Sequence, residues 1–487
     1  MLNYNFKKLT MKKLLIIATA ILVASCSSNL EDLNKNIKDP AAVSGESLFT
    51  GAQKALVDQV VHINVNENNT KLWSQFIQET TYTDESNYDQ VTRTIPENLW
   101  SAMYRDALKD LDEAGKVIAE TTYVSPEDQN TNNKLMIVEI MKVYAFSHII
   151  ETFGDAPYSE ALNIDILTPA YDDGMTIYKD LIARLSTAIS GLDTNKGSFL
   201  SGENIYDGDV ASWIKFGNTL KLRMGMLLAD ADDTFAQSTV ESAITGGVFM
   251  SSADNAHMQY GSSAPNTHPV HTEVILSGRN DFVAGATLID MMNTLDDPRR
   301  PLWFQTVGGD YVGGEIGSPS TYSSHSPMAD QVVAATAPGV VLSYSEVEFL
   351  LAEGAARGYA TGDTAANHYE AGVTASILEW NGSAADAATY VGQATVDYAT
   401  LIATQTWKEV IGTQKWISLF NRGPEAWTSI RVFDYPMLAT PTEALSGFPN
   451  RYTYPIVEQT INTANYAAAA TAIGGDVPET KLFWDKF

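Results

Sequence analysis

The stretch from Lys134 to Ile150 constrains the fold more than any other, because it is apolar on nearly every face. A helix of that kind has no side to turn to water, so other elements must surround it. Its end is marked by Phe153-Gly154-Asp155-Ala156-Pro157, where Gly and Pro stop a helix. Amphipathic patterns flank it. Trp100, Met103, Tyr104, Ala107, Leu108 and Leu111 recur at i, i+3, i+4 spacing, with Arg105, Lys109 and Asp110 opposite. Ile177, Tyr178, Leu181, Ile182 and Leu185 mark another helix, with Asp172 and Asp173 ahead of its first turn, where carboxylates suit the helix dipole. Val210 to Leu228 carries Trp213, Phe216, Leu220 and Met224 on a further one. Ser345 to Arg357 and Ala366 to Trp380 read as a helix pair broken at Gly358 and Gly362, and Trp407 to Phe420 as the last strong helix.

The expectation is therefore an all-α protein of helix pairs packed side by side, reminiscent of tetratricopeptide hairpins but without their strict period of roughly 34 residues. One region departs from this pattern. From about Ser251 to Gly339 the chain is rich in Gly, Ser, Pro, Thr and His, with isolated aromatics at Tyr260, Trp303, Phe304, Tyr311 and Tyr322. Only a short helix around Ala284 to Leu295 is predicted within it. A long irregular insertion in a helical protein is a place to look for function. Asp434 to Phe487 is again Pro- and Tyr-rich with little periodicity.

At the other end, Met11-Lys12-Lys13 leads into an apolar run, Leu14 to Val23, and then Ala24-Ser25-Cys26, the only cysteine. Met11 alone opens a complete secretory signal. The run is too short to span a bilayer, which takes about 20 residues. Val-Ala-Ser-Cys resembles the lipobox of bacterial lipoproteins, in which the thiol takes a diacylglycerol and becomes the mature N-terminus. The expected layout is a signal peptide over 1–25, a lipidated tether over 26–40, and one helical domain over 41–487 that carries the insertion. Glu31-Asp32 just past the cysteine is similar to the surface-export signal of Bacteroidetes lipoproteins.

The net charge is −28; Lys7, Lys8, Lys12 and Lys13 leave with the signal and no acid does, so the mature chain stands at −32. Such a surface repels phosphate backbones, which argues against a nucleic-acid partner. Neutral ligands are the accessible class. With 9 Trp and 22 Tyr, the composition suits sugars, since rings stack on the C–H face of a pyranose while carboxylates and amides bond its hydroxyls.

Catalytic motifs are sparse: there is no Gly-rich phosphate loop, no Gly-x-Ser-x-Gly elbow and no His-Glu-x-x-His. His268-Pro269-Val270-His271 with Glu273 has loose spacing and reads as loop histidines, so neither a metal nor a cofactor is expected. Asp172-Asp173-Gly174 reads as a turn and helix cap. The segment Thr80 to Gln90, placed between two helices, mixes Tyr with Asp, Asn and Gln, and offers Tyr82, Asn87 and Tyr88 as ligand contacts. The insertion adds Tyr260, Asp281, Trp303 and Tyr322.

Several blocks, in order, resemble the SusD/RagB family, in its shorter SusD-like subgroup. They are Phe153-Gly154-Asp155-Ala156-Pro157-Tyr158-Ser159-Glu160-Ala161; Tyr206-Asp207-Gly208-Asp209 followed by Trp213 to Arg223; Asp297-Pro298-Arg299; Tyr344 to Gly354; Gln414-Lys415-Trp416-Ile417; Glu425-Ala426-Trp427; and Pro449-Asn450-Arg451-Tyr452 with Tyr454-Pro455. Gly217 stands where the family usually has Ala, and Arg431-Val432 where a double Arg is common. The likeness runs from Cys26 to the C-terminus. It implies about four tetratricopeptide-like helix pairs and a variable insertion. It also implies an outer-membrane lipoprotein facing outward, which captures glycans or peptides for a SusC-like TonB-dependent transporter. The matched Trp, Asn and Arg read as packing and buried-polar residues, so the resemblance assigns them no ligand role.

The leading expectation is a non-enzymatic surface protein that binds an oligosaccharide and hands it to the transporter. The alternatives are a peptide-capturing lipoprotein of the same architecture, a glycoside hydrolase on a helical scaffold, and a helix-pair scaffold that binds only proteins.

Overall fold

A computed structural model describes residues 43–486, so the signal, Cys26 and the tether lie outside the described residues. The long helices are α1 (Gly45–Val61), α3 (Ile95–Ser101) running on into α4 (Lys109–Glu120), α5 (Thr131–Phe153), α6 (Gly174–Gly191), α7 (Val210–Leu227), α8 (Asp233–Gly246), α11 (Tyr344–Arg357), α12 (Ala365–Glu379), α13 (Trp407–Ser418) and α14 (Gly423–Phe433). Shorter ones are α2 (Thr70–Trp73), α9 (Ala286–Leu295) and α10 (Arg300–Trp303). They pack as antiparallel neighbours: α1 with α4, α5 with α6, α7 with α8, α11 with α12, and α13 with α14. Each pair also touches the next, through α4–α5, α6–α7, α7–α11 and α11–α13. This is the all-α, tetratricopeptide-like arrangement the periodicity predicts.

Local chemistry sets most helix starts. Asn130, Asp173, Asp209, Asp232, Ser343, Thr364 and Thr406 each accept a hydrogen bond from a backbone N–H of the first turn of α5, α6, α7, α8, α11, α12 and α13. Asp173 is thus the cap expected of it. Helix α5 is buried along both sides, with Ile137, Ile140, Met141, Val143, Tyr144, Ile149, Ile150 and Phe153 all fully shielded. It ends at Gly154, whose φ of +85° belongs to the left-handed region, and a Cβ there would lie 2.9 Å from Leu482.

Among the described residues, the helices Ala384–Val391, Ile456–Ile461 and Thr463–Ala472 escape the sequence reading, the last two in the C-terminal part expected to lack periodicity, and so do α1, α8 and α14. The inward faces of α1, α8 and α14 explain why. α1 buries Gln53 and Gln59, α8 buries small residues around Ala236, Thr239 and Ala243, and α14 buries Glu425, Ser429 and Arg431. Polar or small inward residues blur the apolar stripe on which periodicity depends. A second correction lies in α3–α4. Ala102–Leu108 between them is π-helical, although Trp100, Met103, Ala107, Leu108 and Leu111 still face inward as predicted.

The buried polar residues of the family-like blocks hold the pairs in register. Arg422 Nη2 lies 2.7 Å from Glu346 Oε2, and Arg223 Nη1 lies 3.5 Å from Glu425 Oε1. Asn218 donates to the carbonyls of Ile214 and Gly246 at 3.1 and 2.9 Å, pinning α7 to the end of α8. Trp416 and Trp427 donate their indole N–H groups to the Ser74 and Pro449 carbonyls at 3.0 and 2.7 Å.

Short ladders stitch the insertion to this scaffold. β1 (Ile77–Glu79) pairs antiparallel with β5 (Phe282–Ala284), Ile77 opposite Ala284. β4 (Ala256–Met258) pairs with β6 (Gly339–Leu342), while β2 (Ala156–Pro157) and β3 (Tyr171–Asp172) pair with each other outside the insertion. Two local corrections follow. The 80–90 segment comes after a strand, not a helix, and Ala284 closes β5 before α9 begins at Ala286. The strands are too short to show alternation, so they carry no signal in the sequence.

Candidate functional site

The end of β1 gathers three loops. Thr80 N–H donates to the Asp281 carbonyl at 2.9 Å, and its hydroxyl to the Asn280 carbonyl at 2.7 Å. Ser320 N–H donates to the Glu79 carbonyl at 3.2 Å. Gln78 bridges to the third loop both ways: its Oε1 accepts from Gly317 N–H at 3.1 Å and its Nε2 donates to the Ser318 carbonyl at 3.0 Å. Asn87 Nδ2 donates to the carbonyls of Thr83 and Gly317, each at 2.8 Å. Gly317 sits at φ +81°, where a Cβ would lie 2.5 Å from Asn87 Oδ1, so the close approach of these loops needs glycine there.

Of the seven ligand-contact candidates, five therefore lie on segments that the fold brings together: Tyr82, Asn87, Tyr88, Asp281 and Tyr322. They do not all face solvent. Tyr82 is 70% exposed at φ +56°, a left-handed conformation uncommon for an aromatic residue. Tyr322 is half-buried at the start of a short turn. Asp281 accepts from Arg279 Nε at 2.7 Å on the surface. Tyr82, Asp281 and Tyr322 give this face its ring and carboxylate chemistry.

The other four candidates are interior residues, and this corrects the expectation that they present themselves to a ligand. Tyr88 is buried against Phe448, ring centroids 6.0 Å apart, and burial pushes its hydroxyl up to about 12. Asn87 is buried with its amide N–H groups spent on the loop carbonyls. Tyr260 is buried with its hydroxyl donating to Asp58 Oδ1 at 2.6 Å. Trp303 is wholly buried and stacks on Phe420 at 4.4 Å with planes 17° apart. In a segment poor in apolar residues, the few large rings are the ones the core takes, because each buries up to about 150–250 Å².

Beneath the Tyr82 turn lie two buried carboxyl groups. Glu79 Oε2 accepts from Ser86 N–H at 3.1 Å and Ser86 Oγ at 2.8 Å. Glu85 pairs with Arg93. Burial and the neighbouring Glu85 hold the Glu79 carboxyl well above the usual carboxylate range, so it keeps its proton at neutral pH.

The histidines of the insertion serve the backbone. His268 Nδ1 accepts from Val270 N–H at 3.1 Å and His271 Nδ1 lies 2.8 Å from the Val333 carbonyl oxygen, while Glu273 accepts from Asn64. Among the described residues no three potential ligands cluster for a metal ion, and no helix is long and apolar enough to cross a membrane.

A second concavity, of about 290 Å³, is lined by Trp380, Asn381, Gln331, His257, His268 and Glu379 among others. Of these the sequence singles out only His268, and as a loop histidine. The one local signal is Trp380-Asn381-Gly382, an aromatic residue followed by an Asn-Gly turn pair at a helix end.

Residues 36–455 match the family model SusD-like_2, described as "Starch-binding associating with outer membrane". The chain belongs to the SusD-like family. Solved structures agree with that assignment. One titled a chitin-binding protein is 26% identical, with a TM-score of 0.79, covering 91% of this chain and 100% of its own. A SusD homolog from Bacteroides thetaiotaomicron is 25% identical, with a TM-score of 0.76, covering 92% and 100%. A chitin-binding SusD homolog from Flavobacterium johnsoniae, 24% identical with a TM-score of 0.77 over 90% and 98%, shares the fold. A comparison with curated proteins gives no match.

Proposed function

We propose that this SusD-like chain is a lipid-anchored protein on the outer face of the outer membrane. There it captures an oligosaccharide and passes it, unaltered, to a SusC-like TonB-dependent transporter. The family description supports both the glycan and the membrane, and a solved relative carries chitin binding in its title. The observation that carries the reading is the Tyr82 face. An aromatic ring stands 70% exposed on a turn whose backbone is fastened to two other loops, with Asp281 and Tyr322 on those loops. A ring carried on a fastened backbone loses less conformational entropy on binding, and a neighbouring carboxylate offers acceptors to hydroxyls. Contacts of modest strength suffice, since a partner transporter that also holds the cargo raises the effective concentration.

Isothermal titration of the chain with starch and chitin oligosaccharides, beside an oligopeptide pool, tests this. Binding of an oligosaccharide that Tyr82→Ala weakens about tenfold supports the reading. Peptide binding with no oligosaccharide response sinks its sugar half, and release of reducing ends sinks the statement that cargo is unaltered.

A further inference from the structure

The cavity beside Trp380 has the composition of a ligand site and lies apart from the Tyr82 loops in its lining. Its floor is aromatic. Phe420 stacks with Trp303 at 4.4 Å and meets Trp380 at 5.8 Å, which leaves Trp380 half-buried above the two. Trp380 is held from below by Trp303, 5.8 Å away at 72°. Buried Trp303, which contacts no solvent itself, thus sets the orientation of a ring that does.

Polar groups surround that ring. Asn381 and Asn421 close α12 and the turn after α13 in left-handed conformations, φ 65° and 67°. Gln331 anchors the wall: its Nε2 donates to the Leu302 carbonyl at 2.6 Å, and its Oε1 accepts from Asn381 Nδ2 at 3.2 Å. His257 Nε2 is 3.7 Å from Glu379 Oε1 and has no hydrogen-bond partner.

The decisive group is His268. Its Nδ1 accepts from Val270 N–H, and burial holds the ring neutral by lowering its pKa to about 3. A neutral imidazole that accepts at Nδ1 carries its proton at Nε2. His268 is among the residues that line the cavity, and its buried Nε2–H has no acceptor within the protein. An unpaired buried donor is unfavourable, so an acceptor oxygen that reaches it is favoured.

Charge and size narrow the ligand. Arg422 on the wall is already committed to Glu346 at 2.7 Å, so it is not free to hold an anion. The Glu379 carboxylate and the two imidazoles suit hydroxyl groups. About 290 Å³ is the low end of small-molecule sites, which run from about 300 to 1,000 Å³. It has room for a single sugar ring. The exposed rim residues Thr336, Pro338 and Asn381 leave the mouth open.

We infer that this cavity is a second site, which takes a single neutral pyranose against Trp380, with its hydroxyls on His268, Glu379 and Asn381. The choice of a sugar over other small hydroxylated rings rests on the glycan-binding reading. The site itself rests on the cavity and the unpaired donor.

Saturation-transfer NMR with glucose, N-acetylglucosamine and alanine as separate probes tests it on the full chain. Wild type and Tyr82→Ala are expected to transfer magnetisation to a monosaccharide. Thr336→Trp, which plugs the mouth from an exposed position, is expected to weaken that binding at least tenfold. Asn381→Gly, which keeps the left-handed turn and removes the amide, gives a second variant and is expected to weaken it several-fold. Thermal melts confirm that each variant is folded. No monosaccharide signal in wild type overturns the inference, as does a signal unchanged in both Thr336→Trp and Asn381→Gly. A response to alanine alone overturns it too. Oligosaccharide titration with Tyr82→Ala judges the capture reading separately, because that variant leaves the cavity intact.

Discussion

Arg299 grips Asp297 with both side chains closed off from water, Nη2 lying 2.6 Å from Oδ2. The same guanidinium donates to Ser376 Oγ on α12 and to Gln414 Oε1 on α13, each at 3.0 Å. One turn at the end of α9 therefore ties the insertion to two scaffold helices. Arg299→Met leaves the Asp297 carboxylate buried without its cation and is expected to cost about 3–5 kcal/mol. Urea unfolding checks this as a lower midpoint at similar slope. A midpoint within error of wild type refutes the anchoring role.

Tyr82 and Trp303 should separate binding from stability. Tyr82→Ala removes an exposed ring and is expected to leave the thermal midpoint nearly unchanged while weakening oligosaccharide binding about tenfold, roughly 1.4 kcal/mol. Trp303→Ala empties a core position and is expected to cost about 3–5 kcal/mol of stability. Paired melts and titrations read both. A Tyr82→Ala variant that melts far below wild type but binds normally contradicts the assignment.

Glu79 makes the loop sensitive to alkali. Its folded-state pKa is raised above 4.5, the ordinary glutamate value. Its contribution is therefore fully present below that pH and is lost as pH rises through the raised folded value. Glu79→Gln keeps an acceptor for Ser86 and has no proton to lose. Wild type should grow progressively less stable than this variant from mildly acid to alkaline pH. Denaturation curves at several pH values check it; a difference that does not vary with pH rejects the buried protonated carboxyl.

Cys26 decides location in the proposed function. Cys26→Ala is expected to move the protein from the outer-membrane fraction to the soluble fraction, because no apolar segment of the mature chain replaces the lipid. Mass spectrometry of the wild-type N-terminus should show acylation. Unmodified wild-type protein in the membrane fraction contradicts the anchor.

The helical class was legible because it is written in local rules. The all-round apolar run of α5 forces burial, and the Asp173 and Asp209 caps act within three residues of themselves. The candidate site was legible only in part. Tyr82, Asp281 and Tyr322 were found by residue type, while Tyr88, Asn87, Tyr260 and Trp303 share that type and went inside. Nothing in composition separates a ring that stacks on a ligand from one that stacks on Phe420.

The chain by itself therefore determined its helices, where periodicity and capping are settled by neighbours a few residues away. Tertiary structure alone decided the rest: which loops meet at β1, which carboxyl keeps its proton, and which tryptophan faces a cavity. Those outcomes depend on partners such as Gly317 for Asn87 and Phe420 for Trp303, more than a hundred residues distant along the chain. Burial, which sets both ring exposure and proton affinity, exists only once those partners are in place.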